Sequence, residues 1–275
     1  MALDSQTVQR LLQQIPGQPD TFLTGGQALN FWAEHYSNTQ ELAQYAPYTS
    51  KDIDFVGKYA AAERIAMALG GTIAKPTTGE LQPFVEAVVL VPQPNGEKVQ
   101  IDFLNFVLGT RRDEIEKGRR ILHMPLFDDA GAKTGMLPIP IMHPLHVLKS
   151  RITNVIKLEG GSNSNSTRRR QARAAPIILR EYLREMVRNG EIGEARGTLK
   201  NLHHWLRSDE HGQRVREFVD YDPIHILKEH HATKALDERW IEGSLKGWSE
   251  DLQKYRQSSD QRKAAFQARM QDLTR

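Results

Sequence analysis

The chain contains no cysteine. That excludes disulfides, thiolate zinc centres and a cysteine nucleophile, and it fits a reducing compartment without establishing one. No window approaches the roughly 20 apolar residues of a membrane-spanning helix. Nor does Met1 to Pro16 carry a basic segment followed by an apolar run, so the start does not read as a signal peptide. The expectation is a soluble, cytoplasmic protein with no membrane partner. A Walker A loop, a His-Glu-x-x-His helix and a Gly-x-Ser-x-Gly elbow are also missing, so the commoner ATPase and hydrolase readings have no support. No internal repeat is present. Hydrophobic residues at 39% and charged residues at 26% are ordinary globular values, and 275 residues suffice for one large or two ordinary domains.

Charge is spread unevenly. Residues 149–200 hold 12 Lys/Arg against 5 Asp/Glu, a local +7, which leaves −4 for the rest of a chain whose net charge is +3. An acidic site beside a basic region suits a metal-dependent enzyme with a phosphate-bearing substrate. A solvated helical face would show the same charge.

The acidic part centres on Lys51-Asp52-Ile53-Asp54-Phe55, which alternates like a short strand. Side chains alternate faces along a strand, so Ile53 and Phe55 point into a core while Asp52 and Asp54 share the other face, with Cα atoms roughly 7 Å apart. Two such carboxylates can converge on one divalent ion; without a cation they repel, and one tends to stay protonated. A surface strand without function could carry the same pattern. A later strand, Lys98–Val107, places Val99, Ile101 and Phe103 on one face and Gln100, Asp102 and Leu104 on the other. A carboxylate among apolar neighbours is costly unless paired or bound to metal, which makes Asp102 the natural third partner.

Upstream, Asp4 or Ser5 can cap a helix with Val8, Leu11, Leu12 and Ile15 at helical spacing, ended by Pro16-Gly17. Thr21–Thr24 then reads as a strand that meets Gly25-Gly26 and opens a helix with Leu29, Trp32, Ala33 and Tyr36 on one stripe. In such a turn, backbone N–H groups and a helix N-terminus can face an anion, although a Gly-Gly pair is more often only a tight turn. Residues 37–50 read as a polar loop, and a helix over 59–69 stops at Gly70-Gly71. Residues 85–91 read as a buried strand, Pro94-Asn95-Gly96 as a hairpin turn, 109–120 as a charged, helical connection. Strands are expected over 121–127 and 136–141, around the loop Asp128-Asp129-Ala130-Gly131. From His146 on, the pattern is almost wholly helical, interrupted by the polar run 160–166, which reads as a mobile loop followed by Arg168-Arg169-Arg170. Helices are expected over 177–187, 195–206, 213–219, 224–230, 236–245 and 249–273.

Thr24-Gly25-Gly26-Gln27-Ala28-Leu29, Ser50-Lys51-Asp52-Ile53-Asp54-Phe55 and Gln100-Ile101-Asp102-Phe103, in that order, resemble the nucleotidyltransferase superfamily. The likeness is greatest to its AbiEii-type branch, which includes toxins of bacterial toxin–antitoxin and phage-defence systems, and it covers about the first 145 residues. The resemblance implies an α+β fold: a nucleotidyltransferase-type mixed β-sheet flanked by helices over residues 1–142, followed by a C-terminal all-helical domain over 143–275. It further implies Gly25 and Gly26 near a nucleotide triphosphate, with Ser50 and Lys51 beside them. Asp52, Asp54 and Asp102 would bind Mg²⁺, with two ions possible, and Asp102 would serve as ligand or base toward the incoming hydroxyl. Met142-His143-Pro144-Leu145-His146-Val147-Leu148-Lys149-Ser150-Arg151 also resembles the branch, where a lysine opening the helical half contacts the nucleotide. Lys149 is the catalytic and nucleotide-binding candidate there, with Arg151 as a second; a solvated lysine at a helix start reads equally well. Many members carry an arginine four residues before the first acidic residue, and this chain has Tyr48.

The implied activity is Mg²⁺-dependent transfer of a nucleotidyl group from an NTP to an acceptor hydroxyl, with RNA, tRNA among the candidates, as acceptor and a cognate antitoxin as partner. Transfer to a protein or to a small molecule such as an aminoglycoside, and a nucleotidyltransferase-like scaffold used only for binding, are the alternatives. His203-His204 and His230-His231 read as surface or packing residues, because adjacent helical side chains point about 100° apart and no acidic partner completes a zinc site. Trp205, Trp240 and Trp248 read as core. Arg168-Arg169-Arg170 could contact nucleic-acid phosphates.

Overall fold

The computed structural model describes residue 3 and residues 5–15, 21–74, 84–93, 96–127, 132–158, 166–231 and 236–273. Asp4, the Pro16-Gly17 stop, Pro94-Asn95, Asp128–Gly131 and 160–165 fall outside the described residues. The elements in order are α1 (Ser5–Gln14), β1 (Phe22–Thr24), α2 (Gly25–His35), α3 (Gln40–Ala43), β2 (Ile53–Val56), α4 (Tyr59–Ala68), β3 (Thr72–Ala74), β4 (Val85–Pro92) and β5 (Lys98–Leu104). Then come α5 (Arg112–Lys117), β6 (Arg119–Phe127), β7 (Lys133–Met142), α6 (Pro144–Leu158), α7 (Thr167–Arg188), α8 (Ile192–Ser208), α9 (Glu210–Arg214), α10 (Ile224–His231), α11 (Glu238–Trp240) and α12 (Lys246–Leu273).

Among the described residues seven strands form one mixed sheet in the order β3-β4-β5-β2-β1-β7-β6, with helices flanking it. After β7 the described elements are all helical. The architecture is α+β, with a C-terminal helical region. No helix among the described residues is long and apolar enough to cross a membrane.

The chain divides into two compact units, Met1–Leu179 and Arg180–Arg275. The division lies C-terminal to position 142, so α6 and the first half of α7 group with the sheet. The second unit packs Leu199, Leu202, Trp205, Leu206, Leu227, Leu245 and Leu252. His203 stacks on Trp248 with ring centroids 5.0 Å apart, and the His230 ring accompanies the Ile226 carbonyl at 2.9 Å. His203 and His230 thus have packing roles, and Trp205 is core. Trp240 and Trp248 are half-buried and meet edge to face.

Within the first unit the central strands carry the alternation read from the sequence. Ile53 and Phe55 are buried, and so are Val99, Ile101 and Phe103. β2 lies parallel to β5 in the register Ile53↔Ile101, Asp54↔Asp102, Phe55↔Phe103, and the two phenylalanine rings stack at 5.7 Å. Each of the four apolar side chains in that register contributes about 1.5–3 kcal/mol by burial, enough to pin it from the core side. Some boundaries shift. β2 begins at Ile53, leaving Asp52 in the bend just before it; β5 ends at Leu104; and the short elements α3 and β3 have no counterpart in the sequence pattern. The segment expected as a helix over 213–219 is α9 followed by a single 3₁₀ turn, Val215–Glu217, and 236–245 is α11 followed by a π-helical turn, Ile241–Leu245.

Candidate functional site

The register of β2 on β5 has a chemical consequence. Parallel neighbours in register turn the same face, so Asp54 and Asp102 stand side by side one strand spacing, about 4.8 Å, apart. Asp52, in the bend before β2, joins them: one carboxylate oxygen from each of the three residues lies within 4.8 Å of the others. This is the one cluster of three or more metal-ligating side chains among the described residues. No Lys or Arg among those residues forms an ion pair with any of the three.

β1 lies antiparallel to β2 with Thr24 opposite Asp54, which brings the start of α2 against the same carboxylate. Gly25 has φ +65°, and a Cβ there would fall 1.7 Å from Asp54 Oδ2. Gly26 is confined by Ser50 Oγ, 2.8 Å from where its Cβ would stand, and its backbone N–H donates to Asp54. The two glycines therefore do more than turn the chain: they let the helix N-terminus close onto a carboxylate.

Burial pushes Asp54 up from an ordinary carboxyl to about 7, aided by Asp52 and Asp102, while Arg151 and the Gly26 N–H pull the other way. Asp102 is also raised, by burial first; the hydrogen bond from Gln100 Nε2 at 2.8 Å lowers it, and Asp52 raises it. Ser50 Oγ donates to Asp52 Oδ1 at 3.2 Å. Three crowded carboxylates, two of them biased toward the protonated form, feel Arg151 but form no ion pair with it, and a divalent cation could offset their repulsion.

Asp52 and Asp54 line a cleft of about 620 Å³ together with Gly25, Gly26, Ser50, Lys51 and Arg151. Of the residues expected at the site, these are brought together, with Asp102 joining through the carboxylate cluster. Lys149 is not among the lining residues; its Nζ meets Glu114 Oε2 at 3.3 Å, with the lysine side chain only 10% exposed. Tyr48 also turns away, its hydroxyl donating to the Leu42 carbonyl at 2.6 Å. The cationic side of the cleft comes instead from Arg151 and Arg168, with Lys51.

Arg151 is buried. Its Nη1 donates to Gln171 Oε1 at 3.1 Å and its Nη2 to Ser150 Oγ at 3.2 Å, while Nε has no partner among the described residues. Burial lowers its pKa, and Asp54 and Asp52 raise it. Asn154, Arg168 and Gln171 line the cleft, and the sequence alone does not single them out as nucleotide contacts. A signal for Asn154 is nonetheless there: Arg151, Asn154 and Leu158 fall at i, i+3 and i+7 and share one stripe of α6. Residues two apart do not share a face, so Lys149 and Arg151 could not both look into one cleft.

The arrangement offers three carboxylates that could hold a cation beside a helix N-terminus, a buried arginine held by Gln171 and Ser150, and a roomy cleft, which suits a polyphosphate ester. No family model, curated protein or solved structure matches the chain, so its function rests on the geometry of this site.

Proposed function

We propose that the protein is a Mg²⁺-dependent nucleotidyltransferase that moves a nucleotidyl group from an NTP to an acceptor hydroxyl. One observation carries the reading: Asp52, Asp54 and Asp102 converge within 4.8 Å beside a glycine-opened helix. The residues fit the metal. Mg²⁺ takes a few carboxylates and completes its shell with phosphate and water oxygens, and these carboxylates have no cationic side chain paired to them among the described residues. Asp52 and Asp54 would hold one or two ions, with Asp102 as a third ligand. Bound Mg²⁺ would neutralise charge on the phosphates and on the entering and leaving oxygens.

The chain's own groups account for the rest. The α2 N-terminus at Gly25-Gly26, with Ser50 and Lys51, flanks the phosphate position, and the Arg151 guanidinium stands fixed by Gln171 and Ser150. The acceptor oxygen bonds to the α-phosphorus, the α–β bridging bond breaks, and pyrophosphate leaves. The hydroxyl proton goes to Asp102 Oδ2, since Oδ1 already accepts from Gln100. A polyanionic acceptor, RNA, is favoured because Arg168 lines the cleft and Arg169 and Arg170 follow it on α7.

The test is pyrophosphate release from NTP in the presence of RNA. Wild type releases it only with Mg²⁺, and Asp54→Ala, folded by circular dichroism, releases none. Equal release by folded Asp54→Ala would contradict the assignment.

A further inference from the structure

Part of the cleft wall has a second character. Beyond the acidic residues the cleft is lined by Phe84, Leu104, Phe106, Val107, Leu108 and Leu158, none of which carries a hydrogen-bonding side chain. Two independent elements run from charged to apolar along it. On β5 and its continuation the sequence goes from Asp102 through Leu104 to Phe106, and on α6 from Arg151 through Asn154 to Leu158. The α6 run spans about 10 Å at 1.5 Å per residue.

Phe84 is the most distinctive member of this wall. It keeps 38% of its surface exposed, which is unusual for so large an apolar ring, and packs against Phe106 with centroids 4.4 Å apart at 66°. Its position is built rather than loose. The Asn105 N–H donates to the Phe84 carbonyl at 2.8 Å, and the β4·β5 pairing shifts register between Val85 and Ala87. Such a bulge inserts one residue into β4 and reverses the face that the neighbouring side chains take, a common device for re-aiming a side chain beside a site. Two rings packed edge to face brace each other, and more than a third of the Phe84 surface still meets solvent.

Resting on the nucleotidyltransferase reading of the same cleft, we infer that Phe84, braced by Phe106, is the stacking platform for the base of the donor nucleotide and determines which bases are accepted. The wall grips by stacking and apolar burial and does not read the base's edge. All four NTPs therefore bind, and purines bind several-fold tighter than pyrimidines because their larger rings cover more of the platform.

The experiment measures binding of ATP, CTP and inorganic tripolyphosphate to wild type, Phe84→Ala and Phe84→Trp by calorimetry with Mg²⁺. Phe84 is partly exposed, so the variants fold, which thermal melting verifies. Phe84→Ala should weaken ATP about tenfold, narrow the ATP-to-CTP ratio and leave tripolyphosphate unchanged, whereas Phe84→Trp retains ATP binding. Wild-type affinity of Phe84→Ala for ATP would overturn the platform while leaving the nucleotidyltransferase reading intact. Equal loss of ATP and tripolyphosphate would also overturn it. Failure of wild type to bind any of the three ligands would sink both readings, and is seen before any variant is made.

Discussion

At the scale of single residues, Asp54 is where opposing forces meet. Burial and two neighbouring carboxylates favour its protonated form, while Arg151 and the Gly26 N–H favour the anion, and the balance lies at about 7. The unfolded chain would release that proton near the ordinary value of 3.8. Between those limits Asp54 holds its proton in the folded metal-free protein and has lost it in the unfolded chain, so this residue's contribution to stability falls as pH rises from about 4 to 7. In chelator, Asp54→Asn should melt a few degrees above wild type at pH 8 and close to wild type at pH 4.5; a lower melting temperature at pH 8 would contradict the crowding argument. Lys149 makes a contrasting prediction. Its partner is Glu114, so Lys149→Met strips a part-buried carboxylate–ammonium contact and should cost about 1 kcal/mol of stability. At a temperature where the variant is folded, its affinity for tripolyphosphate should match wild type, whereas Arg151→Met should lose it. A tripolyphosphate defect in folded Lys149→Met would return that lysine to the phosphate site.

At the scale of elements, the glycine turn and the two central strands form one device. Placing a methyl at Gly25 sets it 1.7 Å from Asp54 Oδ2, on a backbone at φ +65° that L residues rarely adopt. Gly25→Ala should therefore displace the carboxylate, lose Mg²⁺-dependent transfer and destabilise by about 1–3 kcal/mol. Full transfer activity in this variant would mean that α2 does not need to close on Asp54. This device is legible in the sequence because its parts are local: period-two alternation at Ile53/Phe55 and Ile101/Phe103, and a Gly-Gly pair between strand and helix. The lining at Phe84, at Phe106 to Leu108 and at Arg168 is not. It depends on the β4 bulge, on residues after β5, and on how α6 and the start of α7 fall beside β2, none of which leaves a period in the chain. Lys149 lies outside the cleft lining for a related reason. Its place near the head of α6 is evident from sequence, but its direction depends on the helix's rotation about its axis, which the contact with Glu114 on α5 reveals.

At the scale of the whole molecule, the order of elements can be read from composition and periodicity: a strand-rich first half, then helices from Pro144. The division into compact units cannot, because α6 and the first half of α7 carry the same helical pattern as the later helices, and only their contacts assign them to the sheet's unit. The basic stretch 149–200 predicts that RNA binding weakens steeply with salt, by roughly one logarithmic unit of slope per arginine–phosphate contact. Replacing Arg169 and Arg170 by Gln, with the cleft-lining Arg168 kept, should flatten that slope while leaving ATP binding within a fewfold of wild type. A small-molecule acceptor would show little salt dependence in either protein.

The central claim, that three aspartates carry nucleotidyl transfer, is tested most directly by incubating the purified chain with NTPs labelled at the α-phosphate, Mg²⁺ and total RNA, beside the Asp52→Ala/Asp54→Ala variant. Label covalently attached to an RNA species by wild type, and not by the variant or in chelator, is the predicted result. Label left entirely in free nucleotide by wild type, with ATP nonetheless bound in the cleft, would contradict it and leave a protein that binds nucleotides without transferring them.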